Sequence, residues 1–205
     1  NILSTLDQYY ITQLLKYACI AISYQQIIKH DYQYLLLQNV LELAQKDASI
    51  LNETSIIYYK IYQIYTTTET HYFDEILHLL PKHARYFSLD ELKDIYLLII
   101  NFGIKQLNSG NKLFAQKLYS IYQSGLQNKV FIENENISRF TFTNIVFTGL
   151  QTGDFDGVFS FIKNHEKYIP ENFRKSTVGF NKARYHYFLK EYKKSLQYLT
   201  DYEYN

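Results

Sequence analysis

The residues best suited to chemistry form a small group of carboxylates and imidazoles, Asp74, Glu75, His78 and His83. On a helix, Glu75 and His78 would share one face at a spacing of three residues, as in the carboxylate–histidine metal sites of helical bundles. Such sites take a matching motif from a second helix, and this sequence contains none. We therefore expect a solvated helix face here, with no metal site and no bound cofactor.

The remaining reactive side chain is the single cysteine, Cys19. One cysteine forms no intramolecular disulfide and no multi-cysteine metal site, which favours a reducing cytoplasm. Cys19 lies in the apolar sequence Tyr17-Ala-Cys-Ile-Ala-Ile22, where a buried thiol acts as a small hydrophobic side chain. No phosphate-binding loop, nucleophile elbow or zinc-protease motif occurs, and Gly153-x-x-x-Gly157 is explained by a turn and close helix packing. We therefore predict that the protein is not an enzyme.

The charge and the hydropathy of the chain restrict its partners. Charged residues make up 20% of the chain and balance to a net charge of +1, so no overall field attracts nucleic acid or an acidic membrane. Apolar runs such as the one from Ile95 to Phe102 are shorter than the roughly 18 to 20 residues of a membrane span. The sequence thus predicts a cytoplasmic protein that does not enter membranes, and it argues against nucleic acid as a partner.

The spacing of the apolar residues predicts helix throughout. Only 2 prolines and 7 glycines interrupt the chain, and apolar residues recur at intervals of three and four rather than two. From Leu92 to Leu107 they form one stripe, which Ser88 and Glu91 precede at the spacing of an N-terminal capping box and Gly110 follows. The same criteria predict about ten helices, near residues 6–29, 32–47, 53–67, 71–80, 89–107, 111–127, 138–151, 155–168, 173–189 and 191–203.

These helices form pairs that are joined by tight turns. The residue opening the second helix of each pair is Tyr32, Tyr72, Lys112, Phe155 and Tyr192 in turn, so the pairs repeat at intervals of 40, 40, 43 and 37 residues. A helix–turn–helix unit at this period is typical of an α-solenoid, in which each hairpin buries its apolar face against its neighbours. A non-repeating helical bundle is the alternative. We predict one domain, residues 1–205, with hairpins near 6–47, 53–80, 89–127, 138–168 and 173–203.

The last hairpin carries characteristic residue types as well as the right length. It resembles a tetratricopeptide repeat at a small, an aromatic, a second small and a large apolar position, which are Ala183, Tyr192, Ser195 and Leu199. This resemblance implies an all-α protein whose tandem hairpins stack as a right-handed solenoid. Close helix–helix contacts are then expected at Ala183 and at the corresponding small position of an earlier hairpin, Gly103.

Two earlier hairpins share some of these features. The one near 138–168 has Phe142 at the opening aromatic position and Val146 and Val158 at the small positions, and the one near 89–127 has Gly103 and Ala115 at the small positions. The order of hairpins is also similar to a group of uncharacterised bacterial helical-repeat proteins that are longer than this chain. Because the chain contains no methionine and has no polar capping helix at its end, we expect it to be a fragment of a longer array.

A tetratricopeptide solenoid has a curved groove lined mainly by the first helix of each hairpin. The resemblance places six side chains there, Phe180, Arg184 and Tyr187 in the last hairpin and Phe140, Thr143 and Phe147 in the one before. Aromatic side chains beside an arginine suit a peptide or an amphipathic partner helix. The family's lysine and asparagine clamp for a terminal carboxylate is missing, because Phe180 and Arg184 stand at those positions. The sequence therefore predicts a non-catalytic protein–protein interaction scaffold.

A nucleic-acid-binding regulatory module is the alternative from another class. The chain has 22 tyrosines and 14 phenylalanines that can stack on bases, and the stretch from Lys163 to Lys194 is rich in lysine and arginine. The basic residues fall on several helix faces, however, and most aromatic residues recur at helical spacing, which favours a solvated surface and a packed core. The groove aromatics would themselves be core if a further repeat covered them.

Overall fold

A computed structural model describes residues 2–25, 35–67 and 69–200 of the protein. These residues form ten α-helices and no β-strand, which confirms the prediction of an all-α protein. The chain divides into two compact units, unit 1 (Asn1–Lys105) and unit 2 (Gln106–Asn205). The helices are α1 (Ile2–Gln25), α2 (Leu37–Lys46), α3 (Ser55–Thr66), α4 (His71–His83), α5 (Leu89–Asn108), α6 (Leu113–Gln127), α7 (Arg139–Thr152), α8 (Phe155–His165), α9 (Glu171–Phe188) and α10 (Tyr192–Thr200).

The predicted boundaries of the first two helices need correction. Helix α1 begins at Ile2 rather than near residue 6. Ser4 and Thr5, residue types that favour the start of a helix, form part of its first turn instead of preceding it. Helix α2 begins at Leu37 rather than near residue 32, because the two residues before it, 35 and 36, form a turn. Several predicted features lie outside the described residues, namely the end of the first helix near 29, the turn at His30 and Asp31, the opening aromatic Tyr32, Thr68 and the predicted helical residues 201–203.

In unit 1, α1 packs against α3 and α3 packs against α4. The thiol of Cys19 on α1 is fully buried and donates a hydrogen bond of 3.0 Å to the carbonyl oxygen of Tyr58 on α3. Burial raises the pKa of this thiol, so it stays neutral at physiological pH. The prediction that Cys19 is a small core side chain is confirmed.

The start and the end of α5 follow the local signals in the sequence. The backbone N–H of Glu91 donates to the hydroxyl of Ser88 at 3.2 Å, and the N–H of Ser88 donates to the Glu91 carboxylate at 3.3 Å. This reciprocal pair is the predicted capping box. After the helix ends, Gly110 has a φ of +98°, a left-handed conformation that glycine adopts without steric cost.

In unit 2, α7 packs against α6, α8 and α9, and α9 packs also against α8 and α10. The core side chains of α7, Phe142, Ile145 and Val146, are almost completely buried. Helix α7 approaches both neighbours closely at Gly149, where an added Cβ would lie 2.5 Å from Val158 on α8 and 2.9 Å from the Tyr119 ring on α6. Val146 and Val158, the predicted small positions of this hairpin, are both fully buried, and their assignment to those positions stays a prediction.

The turn between α7 and α8 lies at Gly153 and Asp154, as the sequence predicted. Gly153 ends α7 with a φ of +79°, and the N–H of Asp154 donates to the Gly149 carbonyl at 3.1 Å, as in a glycine-terminated helix. The Asp154 carboxylate then caps α8 by accepting from the Gly157 N–H at 3.0 Å. It also accepts a 2.8 Å hydrogen bond from the hydroxyl of Tyr119, which ties this turn to α6.

Helices α9 and α10 form an antiparallel hairpin with a close contact at the small positions. The hydroxyl of Ser195 on α10 donates a 2.8 Å hydrogen bond to the carbonyl oxygen of Ala183 on α9, and both residues are buried. The predicted close contact at Ala183 is confirmed. Gly103 is buried on α5, and its predicted helix–helix contact stays a prediction. Among the described helices, none combines the length and the apolar character that a membrane span requires.

Candidate partner-binding face

Helices α7 and α9 lie side by side and run parallel. The first residue of α7, Arg139, contacts Phe173 near the start of α9, and Phe147 in the second half of α7 contacts Arg184 in the second half of α9. Between these contacts, the buried amide of Asn181 donates to the hydroxyl of Thr143 at 3.0 Å. The first helices of two successive hairpins therefore pack in a fixed register, and we call their shared outer surface the α7–α9 face. It comprises Arg139, Phe140, Phe147, Phe173, Phe180, Arg184 and Tyr187.

Five of the six predicted groove residues lie on this face and are accessible to solvent, whereas the sixth, Thr143, is half-buried and its hydroxyl accepts a hydrogen bond from Asn181. Phe140 is 67% exposed, Tyr187 is 60% exposed and Phe180 is 38% exposed, while Phe147 and Arg184 are half-buried. Tyr187 does not lie beneath a neighbouring described helix, the arrangement that would have made this surface part of the core. Aromatic side chains exposed together on one surface are a common feature of protein interaction sites.

Arg184 lies between two aromatic rings. Its guanidinium carbon is 4.7 Å from the centroid of the Phe180 ring on the same helix and 5.2 Å from the centroid of the Phe147 ring on α7. Contacts of this kind are worth roughly 0.5 to 2 kcal/mol, depending on how far the cation is desolvated. Partial burial lowers the pKa of the guanidinium, but arginine stays protonated at neutral pH. Arg184 forms no hydrogen bond or ion pair with any described residue.

A second arginine repeats this arrangement near the start of the two helices. The guanidinium carbon of Arg139 lies 4.9 Å from the centroid of the Phe140 ring and 4.7 Å from that of the Phe173 ring on α9. Arg139 is exposed, and it too has no hydrogen-bond or ion-pair partner in the described part of the chain. The face thus carries two sites in which an arginine contacts one phenylalanine from each helix.

The aromatic neighbours of Arg184 differ in part from the prediction. The sequence predicted that Phe180 and Tyr187 flank the arginine, because both share its helix face. The structure confirms Phe180, but the second ring is that of Phe147 on the neighbouring helix. The ring of Tyr187 instead packs edge-to-face with Tyr192, with centroids 5.7 Å apart, at the turn into α10.

Arg139 and Phe173 also belong to this face, although they were not among the predicted contact residues. A signal was available for Phe173, which precedes Phe180 by seven residues and therefore occupies the same side of α9. Arg139 is adjacent to Phe140 in the sequence, and helical neighbours at this spacing point in different directions. Its place on the face depends on Phe173, hence on the packing of α9 against α7.

The charges of the two helices are mostly positive. Helix α7 carries one arginine and no acid, and α9 carries four arginines and lysines and one acid, Glu171. Some of these cations have structural partners. Lys182 pairs with Glu166 at 3.1 Å, and Arg174 donates to the carbonyl oxygens of Ile169 and Lys167 at 3.0 Å each. Of the arginines and lysines of α7 and α9, Arg139 and Arg184 lie on the α7–α9 face.

The histidine and carboxylate cluster on α4 forms surface ion pairs. Glu75 pairs with Lys60 at 2.6 Å and lies 3.6 Å from the His71 ring nitrogen. The ring of His78 lies 2.6 Å from the ammonium group of Lys82. Within residues 2–25, 35–67 and 69–200, no three histidine, cysteine, aspartate or glutamate side chains are placed to hold a metal ion.

A pocket of about 230 Å³ lies between α8, α9 and α10. Its aromatic lining includes Phe159, Tyr185 and Tyr198, and the ring of His186 stacks on Tyr198 with centroids 5.3 Å apart. His186 also lies 2.6 Å from the carboxylate of Glu191. Because polar groups of this pocket pair with one another, they are less available to a ligand than the arginines of the α7–α9 face.

The fold and this surface define an all-α protein that presents aromatic side chains and arginines on two parallel helices. No protein-family model matches the chain, and comparisons with curated proteins and with solved structures found no match. The role of the α7–α9 face is therefore inferred from its own geometry and charge.

Proposed function

We propose that the protein is a non-catalytic protein–protein interaction scaffold, which binds a peptide or a partner helix on the α7–α9 face. The observation that carries this proposal is the exposure of Phe140, Phe180 and Tyr187 on the same surface as Arg184. Aromatic side chains and arginine dominate the binding energy of protein interfaces, because they bury a large area for few rotatable bonds. A peptide that covers these rings would gain that energy.

In this proposal the hairpins form a tetratricopeptide-like, right-handed α-solenoid that acts in the cytoplasm. Three features of unit 2 support the repeat. Helices α7 and α9 run parallel, α9 and α10 form a tight hairpin, and a glycine–aspartate turn joins α7 to α8. A parallel array of first helices is the usual site of ligand binding in solenoids of this kind.

A nucleic-acid-binding module fits these contacts less well. Phosphate binding requires cations that can contact the backbone and release counterions. In the basic stretch of unit 2, Lys182 pairs with Glu166 and Lys194 pairs with Glu191, while Arg174 donates to backbone carbonyls. These cations already have partners within the protein. The α7–α9 face therefore favours a peptide over a phosphate backbone.

Selection from a random peptide library tests the proposal. Peptides that bind the purified protein are labelled with a fluorophore, and their affinities are measured by anisotropy for the wild type and for the double variant Phe180→Ala and Tyr187→Ala. Truncation of two interface aromatics should weaken binding by about 30-fold or more, the equivalent of about 2 kcal/mol. The matched control is Phe159→Ala, which removes an exposed aromatic ring from α8. Loss of affinity in the control but not in the double variant would contradict the proposal.

A further inference from the structure

We propose that the ligand of the α7–α9 face is an acidic peptide, whose carboxylate side chains pair with Arg184 and Arg139 while its apolar side chains pack on the flanking phenylalanine rings. This inference rests on the proposed function and adds the chemistry of the partner to it. It concerns side-chain carboxylates at two positions rather than a single terminal carboxylate.

The environment of Arg184 fits a carboxylate. Its guanidinium lies beside Phe147 and Phe180, and none of its N–H groups donates to a described residue. Contact with two rings holds the guanidinium in place, so little side-chain entropy is lost when a ligand binds. A half-buried cation has already lost part of its hydration, and a carboxylate that forms two parallel hydrogen bonds compensates for this loss.

The phenylalanines of the two arginine sites are separated by the same number of residues on both helices. Phe140 and Phe147 are seven residues apart on α7, and Phe173 and Phe180 are seven residues apart on α9. Seven residues of helix rise by about 10 Å at 1.5 Å per residue. A peptide in the polyproline II conformation has three residues per turn and rises by about 3.1 Å per residue, so side chains three positions apart lie on the same side at a separation of about 9 Å. A peptide in this conformation with an acidic residue at every third position can therefore place one carboxylate at each arginine.

Charge complementarity favours the same partner. The single acid among the residues of α7 and α9 is Glu171, and these helices carry five arginine and lysine side chains. A peptide with several carboxylates is attracted to this surface, whereas a basic peptide is repelled. The exposed phenylalanine rings add an apolar contact that simple ion pairing lacks. The fitting ligand therefore combines acidic and apolar residues.

Defined peptides test this inference. The probe is a fluorescein-labelled, C-terminally amidated twelve-residue peptide of repeated Glu-Phe-Gly units, and the matched peptide has glutamine in place of each glutamate. Anisotropy titrations at low and at high salt compare the wild type with Arg184→Gln and with the control Lys193→Gln, which removes a charge from an exposed position of α10. We expect the wild type to bind the glutamate peptide at least tenfold more tightly than the glutamine peptide. Arg184→Gln should remove most of this difference, and Lys193→Gln should preserve it.

The outcomes separate this inference from the proposed function. Equal affinity of the wild type for both peptides, with binding reduced by Phe180→Ala, would overturn acid recognition and leave the face as a peptide-binding surface. Binding that Phe180→Ala leaves unchanged would overturn both. If a glutamine peptide with a free C-terminus binds more tightly than the amidated glutamate peptide, Arg184 recognises a terminal carboxylate instead. If a single-stranded oligouridine binds more tightly than the glutamate peptide, and Arg184→Gln abolishes this binding, the face recognises nucleic acid instead. Absence of binding to either amidated peptide also overturns the inference.

The comparison does not depend on a single variant. If Arg184→Gln fails to fold, as judged by circular dichroism, the glutamate and glutamine peptides still distinguish the outcomes on the wild-type protein. Arg184→Lys supplies a second test, because lysine keeps the charge but loses the planar set of donors. We expect Arg184→Lys to bind the glutamate peptide with an affinity between those of the wild type and Arg184→Gln.

Discussion

The guanidinium carbon of Arg184, on α9, lies 5.2 Å from the centroid of the Phe147 ring, on α7. The two residues belong to different hairpins, so this contact forms only when α7 and α9 pack in the observed register. The hydrogen bond between Asn181 and Thr143 supports the same register from the buried side of α9. The geometry of the candidate binding face is therefore a consequence of how the two hairpins pack.

The first prediction concerns the close contact of α9 with α10. Ala183→Leu adds three heavy atoms where the hydroxyl of Ser195 reaches the Ala183 carbonyl. Overpacking at this position should lower the free energy of unfolding by roughly 1 to 3 kcal/mol. Chemical denaturation followed by circular dichroism measures the change. The matched control is Ala48→Leu at an exposed position, where we expect little effect. An unchanged denaturation midpoint for Ala183→Leu would show that the two helices do not approach closely here.

The second prediction concerns the pH dependence of stability in unit 1. Burial acts to raise the pKa of Glu91, but hydrogen bonds from Lys16 and Ser88 outweigh it and hold the pKa below its ordinary value of 4.5. A carboxyl group whose pKa is lowered by folding stabilises the protein fully above the unfolded value, and this contribution is lost as the pH falls through the folded value. The free energy of unfolding should therefore decrease on acidification below about 4.5.

The variant Glu91→Gln isolates this contribution. Because glutamine does not titrate, the variant should be less stable than the wild type at neutral pH, and its stability should fall less steeply on acidification. Denaturant midpoints measured from neutral pH to about pH 3 give both curves. Parallel curves for the two proteins would mean that the Lys16 and Ser88 contacts to Glu91 contribute nothing to stability.

The third prediction concerns the turn between α7 and α8. Asp154 accepts hydrogen bonds from the Gly157 N–H and from the hydroxyl of Tyr119. Asp154→Ala removes both and should lower the free energy of unfolding by about 1 to 2 kcal/mol, mainly through loss of the helix cap. Asp156→Ala is the matched control, because it removes an exposed carboxylate from the first turn of the same helix and should cost only a few tenths of a kcal/mol. Equal losses in the two variants would contradict the capping role of Asp154.

Sequence patterns predicted the helices wherever the signal was local. Ser88 and Glu91 determine the start of α5 through groups three residues apart, and Gly153 ends α7 through its own backbone conformation. The start of α2 was wrong because the apolar residues Leu35 and Leu36 continue the helical spacing although they form a turn. Periodicity identifies the apolar side of a segment but does not determine where its backbone leaves the helix.

The candidate binding face could be predicted only in part, because some of its contacts lie within one helix and others join two helices. Phe180 and Arg184 are one helical turn apart on α9, so their contact follows from helix geometry alone. The contact of Arg184 with Phe147 and that of Arg139 with Phe173 join two helices. Their pairing depends on the relative register of α7 and α9, which the spacing of residues within one helix does not encode.

The most direct test of the central claim is a map of where a bound peptide touches the protein. A photoreactive phenylalanine analogue replaces Tyr187, Phe140 or, as a control, Phe159 on α8, all of which are exposed. Each protein is irradiated with a peptide selected for binding to the wild type, and mass spectrometry identifies the cross-linked residues. We predict cross-links from positions 187 and 140 and none from position 159. Cross-links from position 159 without any from 187 or 140 would contradict the assignment of the α7–α9 face as the binding surface.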